Sequence, residues 1–320
     1  MTGHPQGSPE WLAERRTMIG ASEAAAALGI SPWTSPLELY KRKRGELPEV
    51  ETTMAMRRGT ALEPVILDAY AEKYATPEGD ALTCSPPIHR HADHLWMGAS
   101  FDALRGSPPR VVEAKSVSYF ASRSWGEPGT DEVPDYYLVQ VMHQLEVALS
   151  IWPDAEKTAH LVALVEGEED IRVYPITYDA DLAAAIVAAE RDLWERIQAG
   201  NPPDPTTGAD VSMLFPRSTA EVVIASADVY AAWEELVEVR ARLKADEARK
   251  KELADLLQVA MLDHDTLADA DGRKLVTWKT GKPRRVLDSA RMASEHPEIA
   301  EGYYIDKPGN RSFLVKEPKK

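Results

Sequence analysis

Residues 98–116, GASFDALRGSPPRVVEAKS, hold two β-prone runs joined by a Gly-Ser-Pro-Pro turn, and so short a turn leaves the runs few ways to pair. With the turn centred between Ser107 and Pro108, Asp102 falls opposite Glu113. Side chains alternate along a strand, so Glu113 and Lys115 share one face and Ala114 takes the other. The pattern predicts two carboxylates and an amine on one side of a hairpin. Two readings compete for it. One is a solvated face carrying a weak surface ion pair. The other is an oxygen-ligand site for a hard cation such as Mg²⁺, completed by the backbone carbonyl of Ala114, water and substrate phosphate. The spacing alone decides nothing, because Glu317–Lys319 repeats it on a charged tail without an acid partner.

Three other segments bear on the choice. In RRGTALEPVILDAYAEKY, Glu63 precedes Pro64, which suits a first helical turn, so Glu63 is expected near a helix start. There a carboxylate can serve the helix dipole alone. The apolar helix expected at PDYYLVQVMHQLEVAL carries Gln140 and Gln144 one turn apart, either lining a site or forming a wet side. Near the N-terminus, Arg15 and Arg16 precede SEAAAALG, read as a short helix with Ser22 as N-cap and Gly29 at its end. An arginine beside a helix start is a phosphate site in kind, although arginines near caps are common on any surface.

The chain of 320 residues divides best at NPPDPTTGAD, residues 201–210, giving a mixed α/β domain at 1–205 and an extension at 206–320. Strands are expected at 94–104, 110–118, 157–167 and 170–178, with helices at 135–149 and about 180–199. The extension opens with a long helical pattern whose Leu236, Leu243, Leu253 and Leu257 form a broken apolar stripe, read as a helical hairpin or packed arm. Strand-like pieces, GRKLVTWKTG and RSFLVKE, close the chain. Cys84 is the only cysteine, which excludes an internal disulfide, a cysteine-based zinc site and a four-cysteine iron–sulfur cluster. No apolar run approaches the ~20 residues of a membrane helix and the N-terminus lacks an apolar signal core, so a cytoplasmic protein without membrane attachment is expected. The net charge of −15 lies almost wholly in residues 1–205 and concerns solubility more than any local groove.

In this order, WLAERRTMIGASE, SPWTSPLELYKRKRGE, RRGTALEP, GASFDAL, VVEAKS, VPDYYLVQVMHQLEVAL and NPPDP resemble the YqaJ-type viral recombinase family, to which phage lambda exonuclease is similar. The resemblance covers most of residues 10–205 and implies an α/β fold of the PD-(D/E)XK class, a restriction-endonuclease-like mixed sheet flanked by helices. It implies a Mg²⁺-dependent exonuclease (Mn²⁺ as substitute, two ions) that degrades double-stranded DNA ends 5′→3′. The exposed 3′ strands would pass to a phage single-strand annealing protein, and the nuclease would form a homo-oligomeric ring. Carried over residue by residue, the G-x-x-x-E motif matches Gly59 to Glu63, the metal-binding aspartate matches Asp102, and E-x-K matches Glu113 and Lys115. Asp102 and Glu113 would hold one ion with Ala114, and Glu63 would complete a second site or outer shell. Lys115 would orient or help deprotonate the attacking water, and Gln140 would position Lys115, water or phosphate. The family's 5′-phosphate arginine points to Arg15, with Ser22 beside it. Phe101 and Ala103 depart from the usual proline and glycine around the aspartate; neither removes a ligand, and Phe101 is the one able to alter the local turn or DNA path. A RecB-type or CRISPR-associated nuclease and a nuclease-derived DNA-binding module are the alternatives.

The resemblance assigns nothing to GRKLVTWKTGKPRR, residues 272–285. This stretch carries Arg273, Lys274, Lys279, Lys282, Arg284 and Arg285 and no acid. A basic hairpin turning at TGKP is expected, either packing Leu275, Val276 and Trp278 on a core or clamping DNA phosphates.

Overall fold

Two neighbouring parallel strands need a crossover between them, and that requirement organises the first part of the chain. The computed structural model describes residues 8–48, 50, 52–74, 81–283, 285–305 and 313–316; Arg284, Glu317 and Lys319 lie outside these. The chain divides into two compact units, Met1–Phe215 and Pro216–Lys320.

In the first unit come α1 (Pro9–Arg16), β1 (Ile19–Gly20), α2 (Ala24–Ala27), α3 (Pro36–Lys43) and α4 (Met54–Tyr74). Four short strands follow: β2 (Leu82–Cys84), β3 (His89–Arg90), β4 (Met97–Ala99) and β5 (Ala103–Arg105). Then come β6 (Arg110–Val117), α5 (Asp135–Ile151), β7 (Thr158–Val165), β8 (Ile171–Thr177), α6 (Ala180–Ala199) and α7 (Gly208–Leu214). The main sheet runs β2-β5-β6-β7-β8, with β6 parallel to β7 and the other pairs antiparallel. Helix α5 supplies the crossover. The result is the mixed sheet flanked by helices expected of the restriction-endonuclease-like class.

Alternation along β6 and β7 decides which helix covers which face. Val111, Val117, Leu161, Ala163 and Val165 share a core with Val141, Met142 and Leu145 of α5. Val112 and Val162 share one with Ile66, Leu67 and Tyr70 of α4. Because Glu113 and Lys115 have the parity of Val111 and Val117, the sheet turns them toward α5.

Residues 94–104 do not form the single strand expected. They split into β4, which pairs with β1 and β3, and β5, which joins the main sheet. The break falls at Phe101, whose ring is buried near His89 and Trp152 and so anchors the crossing between sheets. Glu63 is not at a helix start either: α4 begins at Met54 and runs through Pro64. Pro64 is exposed and forfeits only the bond its N–H would have made.

The first unit extends past the proline-rich stretch because Asp210 is buried against it. Its carboxylate accepts from the Ser35 hydroxyl and from the Thr206 and Thr207 amides. Burial alone would raise this carboxyl, and those donors hold it below its ordinary value.

In the second unit, α8 (Ala227–Met261) is one continuous helix of 35 residues, with Ser226 as N-cap, rather than a helical hairpin. An antiparallel pair, β9 (Thr266–Ala268) and β10 (Lys274–Thr277), follows, then α9 (Ser289–Glu295) and α10 (Pro297–Glu301). The basic strand forms, but its partner lies upstream. The turn is made at Asp269–Gly272, where the Asp269 carboxylate accepts from the Asp271 and Arg273 amides and Gly272 takes φ 81°. TGKP turns no hairpin, and Trp278 is half exposed rather than buried. Residues 313–316 carry no strand. Among the described residues no helix is long and apolar enough to cross a membrane.

Candidate active site

The β5–β6 hairpin pairs Ala103 with Val112, Leu104 with Val111 and Arg105 with Arg110, the register expected from the turn. Strand β5 starts at Ala103, so β6 beyond Val112 lacks a β5 partner, and Asp102 stands in for one. Its Oδ2 accepts the Ala114 N–H at 2.8 Å. A carboxylate is thereby fixed where the two strands part.

Across that gap Glu113 is buried, with only 3% of its surface exposed, and its oxygens are engaged from two elements. Lys115 Nζ and Gln140 Nε2 both donate to Oε1 at 2.5 Å, and Gln144 Nε2 donates to Oε2 at 2.7 Å. The two amides come from adjacent turns of α5, which otherwise buries apolar side chains against the same face. Gln140 is thus bonded to Glu113, on the same oxygen that accepts from Lys115. Gln144, fully buried, is the second clamp; its one-turn spacing from Gln140 is the signal in the sequence. His143 points away and is bonded to Glu190 Oε1 at 2.7 Å and the Gly98 carbonyl at 2.9 Å.

The charges here act on one another. Burial and the neighbouring Glu113 carboxylate push Asp102 well above the usual aspartate range, against the pull of Lys115. Glu63, part-buried on α4, is also raised, first by burial and then by Glu113. Burial would lower Lys115, but Glu113 and Asp102 more than offset it and favour the ammonium form, which also lies 5.2 Å from the Tyr137 ring centre.

A second cluster is built at the N-terminus. Ser8 caps α1 by accepting from the Trp11 N–H, and Arg15 sits one turn beyond Trp11. The guanidinium carbon lies 4.9 Å from the Trp11 ring centre, and Nη2 donates to Ser22 Oγ at 3.0 Å. Ser22 is not the expected N-cap: it lies inside a 3₁₀ turn, Ala21–Glu23, ahead of α2. Glu23 does the local work. It accepts the Gly20 N–H at 2.8 Å and pairs with Arg15 at 3.2 Å and Lys43 at 2.6 Å. Burial raises its carboxyl, yet Arg15 and Lys43 hold it below its ordinary value. A Cβ on Gly20 would stand 3.3 Å from Arg15 Nη2, so glycine permits this close approach.

One cavity of about 600 Å³ is lined by both clusters: Arg15 and Ser22 together with Glu63, Asp102, Glu113, Lys115 and Gln140. Ala114 borders it too, with its N–H committed to Asp102. Among the described residues no three His, Cys, Asp or Glu side chains stand close enough to hold one ion together. What suits a hard cation is the donor chemistry of Asp102 and Glu113, all oxygen, with a mutual repulsion that a cation would relieve.

Residues 10–150 match the family model described as YqaJ-like viral recombinase domain, in agreement with the resemblance read from the motifs. Over 299 residues the chain is 26% identical to "Uncharacterized protein YqaJ" of Bacillus subtilis (strain 168), covering 91% of this chain and 89% of that protein. Among solved structures, an alkaline exonuclease (LHK-Exo) from Laribacter hongkongensis is 20% identical, with a TM-score of 0.48 over 61% of this chain and 94% of that one. A SOX–DNA complex is 10% identical, with a TM-score of 0.40 over 61% and 68%.

Proposed function

We propose that this chain, whose residues 10–150 match the YqaJ-like viral recombinase domain, is a metal-dependent DNA exonuclease acting 5′→3′ on linear duplex. The observation that carries the proposal is the buried Glu113, clamped by Lys115, Gln140 and Gln144 beside Asp102, in a cavity shared with Arg15 and Ser22. A solvated surface pair needs no such clamp, and a buried carboxylate without a charge to serve is costly.

A divalent cation, Mg²⁺ or Mn²⁺, held by Asp102 and Glu113 with the Ala114 carbonyl, would neutralise phosphate charge and acidify bound water, and Glu63 would serve a second ion or the outer shell. Two such ions are proposed. The protein's own groups do the rest. Gln140 and Gln144 fix the Glu113 carboxylate so that no reorganisation is needed during reaction. Lys115, as an ammonium, donates to the attacking water or to a non-bridging phosphate oxygen. Water adds to phosphorus and gives up one proton to solvent, the P–O3′ bond breaks, and the departing 3′ oxygen takes up a proton from solvent, so that no net proton is lost. Arg15 and Ser22 receive the terminal 5′-phosphate and so set which bond lies over the carboxylates.

The working context is cytoplasmic, on phage or host DNA ends, with a ring-forming assembly and a single-strand annealing protein taking the 3′ strand. The test is digestion of a linear duplex labelled separately at each 5′ and 3′ end, beside a covalently closed circle. Release of 5′ label from the linear substrate, dependent on added divalent cation, is expected. Release of 3′ label first, or cutting of the circle, overturns the polarity or the exonuclease assignment respectively.

A further inference from the structure

Helix α8 is long, yet only Met261 among its 35 residues is buried. A helix of that length ordinarily draws its stability from packing an apolar face. At 1.5 Å per residue it offers about 50 Å of surface. Its leucines keep heptad spacing: Leu236, Leu243 and Leu257 fall at one heptad position with Lys250 between them, and Val239, Leu253 and Ala260 fall at the other with Asp246 between them. The four leucines remain between 36% (Leu257) and 58% (Leu243) exposed. The stripe is broken at two places by opposite charges, one turn apart.

Those two charges say what covers the stripe. A second copy of α8 laid antiparallel can be set so that Lys250 faces Asp246 of the second copy. That single choice of register fixes every other layer. It puts Leu243 opposite Leu253, Val239 opposite Leu257 and Leu236 opposite Ala260, and symmetry repeats each pair beyond the axis. Apolar meets apolar in every layer except the central two, where opposite charges meet. A parallel pair would instead stack Lys250 on Lys250 and Asp246 on Asp246, inside the seam. We infer that α8 is a dimerisation element that pairs with α8 of a second copy as an antiparallel coiled coil, with the Asp246–Lys250 layers setting register and direction.

At the rim, Glu247 meets its own symmetry mate, as does Arg249. Both are exposed and already paired along their own helix, Glu247 with Lys250 at 3.4 Å and Arg249 with Glu252 at 3.0 Å. Polar layers inside a seam lower stability while selecting one arrangement, which is the use made of them here. A solitary helix kept soluble by its own ion pairs is the competing arrangement, and it gives no reason for the layers to match.

The test uses the full chain and does not depend on nuclease activity. Sedimentation across a concentration series is expected to show self-association that Asp246→Lys or Lys250→Asp weakens by about tenfold or more. The exchanged pair Asp246→Lys with Lys250→Asp should restore it, with helicity by circular dichroism unchanged throughout. Association through the first unit is untouched by these changes, so the readout is the step that disappears between wild type and Asp246→Lys. In a Cys84→Ser background, Leu243→Cys mixed with Leu253→Cys should form disulfide-linked dimers, whereas Leu243→Cys alone should not. Absence of that step, failure of the exchange to restore it, or cross-linking by Leu243→Cys alone overturns the inference.

Discussion

The molecule contains two hairpins dense in charge, β5–β6 and β9–β10, and they have opposite fates. In the first, helix α5 lies over the charged face, and Glu113 is left no oxygen without a donor. In the second, Lys274, Leu275 and Thr277 are exposed on the strand itself, and Trp278 beyond it is half exposed. Similar local patterns thus yield a preorganised cluster under a helix and a plain charged ribbon in water. A strand of alternating charge becomes a site when something dehydrates one face and supplies partners for what it dehydrates.

That contrast breaks first at its strongest point. Glu113→Gln, Asp102→Asn or Lys115→Ala should each lower cleavage of linear duplex by a factor on the order of 10³, with the fold retained by circular dichroism. Near-wild-type rates in a folded variant would remove that residue from the chemistry. The clamp is the next point. Gln144→Leu keeps bulk but removes the donor to Glu113 Oε2, a loss of about 1–2 kcal/mol that should appear as roughly tenfold in kcat with KM little changed. An equal loss in KM instead would make Gln144 a substrate-binding group. Arg15→Ala should lower the preference for 5′-phosphorylated over 5′-hydroxyl ends by a factor on the order of tenfold, because a guanidinium has less to grip on a hydroxyl. Equal losses on both ends would shift the role to another residue.

The face of the main sheet turned toward α4 gives a pH-dependent comparison. His160 bonds to the Tyr70 hydroxyl at 2.7 Å and lies near Arg110 and Arg105; burial first, then these arginines, lower its pKa to about 4. Between the ordinary imidazole value and about 4 the unfolded chain therefore binds more protons than the folded one, and stability falls as pH falls through that window. Thermal melts across it should show a flatter acid limb for His160→Gln, and an unchanged limb would remove His160 as its source. The smallest effect is expected in the basic run that follows the second hairpin in sequence. Changing Lys282, Arg284 and Arg285 together to Ala should weaken duplex binding and flatten its salt dependence by up to about 0.9 for each phosphate no longer neutralised. Catalysis at saturating DNA should be unaffected, and an unchanged slope would leave this run as surface.

The hairpin register was legible because a short turn and an alternating face leave one solution. The facing of Glu113 and Lys115 followed from parity alone, and the turn spacing of Gln140 and Gln144 was visible although its target was not. What escaped depended on tertiary context. Pro64 signals a helix start locally, but an exposed proline can sit inside a helix that packs its other side, so the position of Glu63 could not be read. Phe101 looked like a disturbance of the turn, and only its burial near Trp152 explains why residues 94–104 divide between two sheets. At TGKP the turn formers were real, but Asp269 and Gly272 had already made the turn.

If Arg15 receives the 5′-phosphate as proposed, its pairing with Glu23 has a consequence for which phosphates would be told apart. Arg15, Lys43 and Glu23 together carry a net charge of one positive unit, because the carboxylate cancels one of the two cations it touches. A phosphodiester within a strand bears one negative charge and gains modestly by displacing a carboxylate that already satisfies the guanidinium. A terminal phosphomonoester above its second pKa of about 6 bears close to two, and its attraction to the cluster is nearly doubled. On that proposed role, Glu23 would act as a threshold, set between the charge of a chain interior and the charge of a chain end.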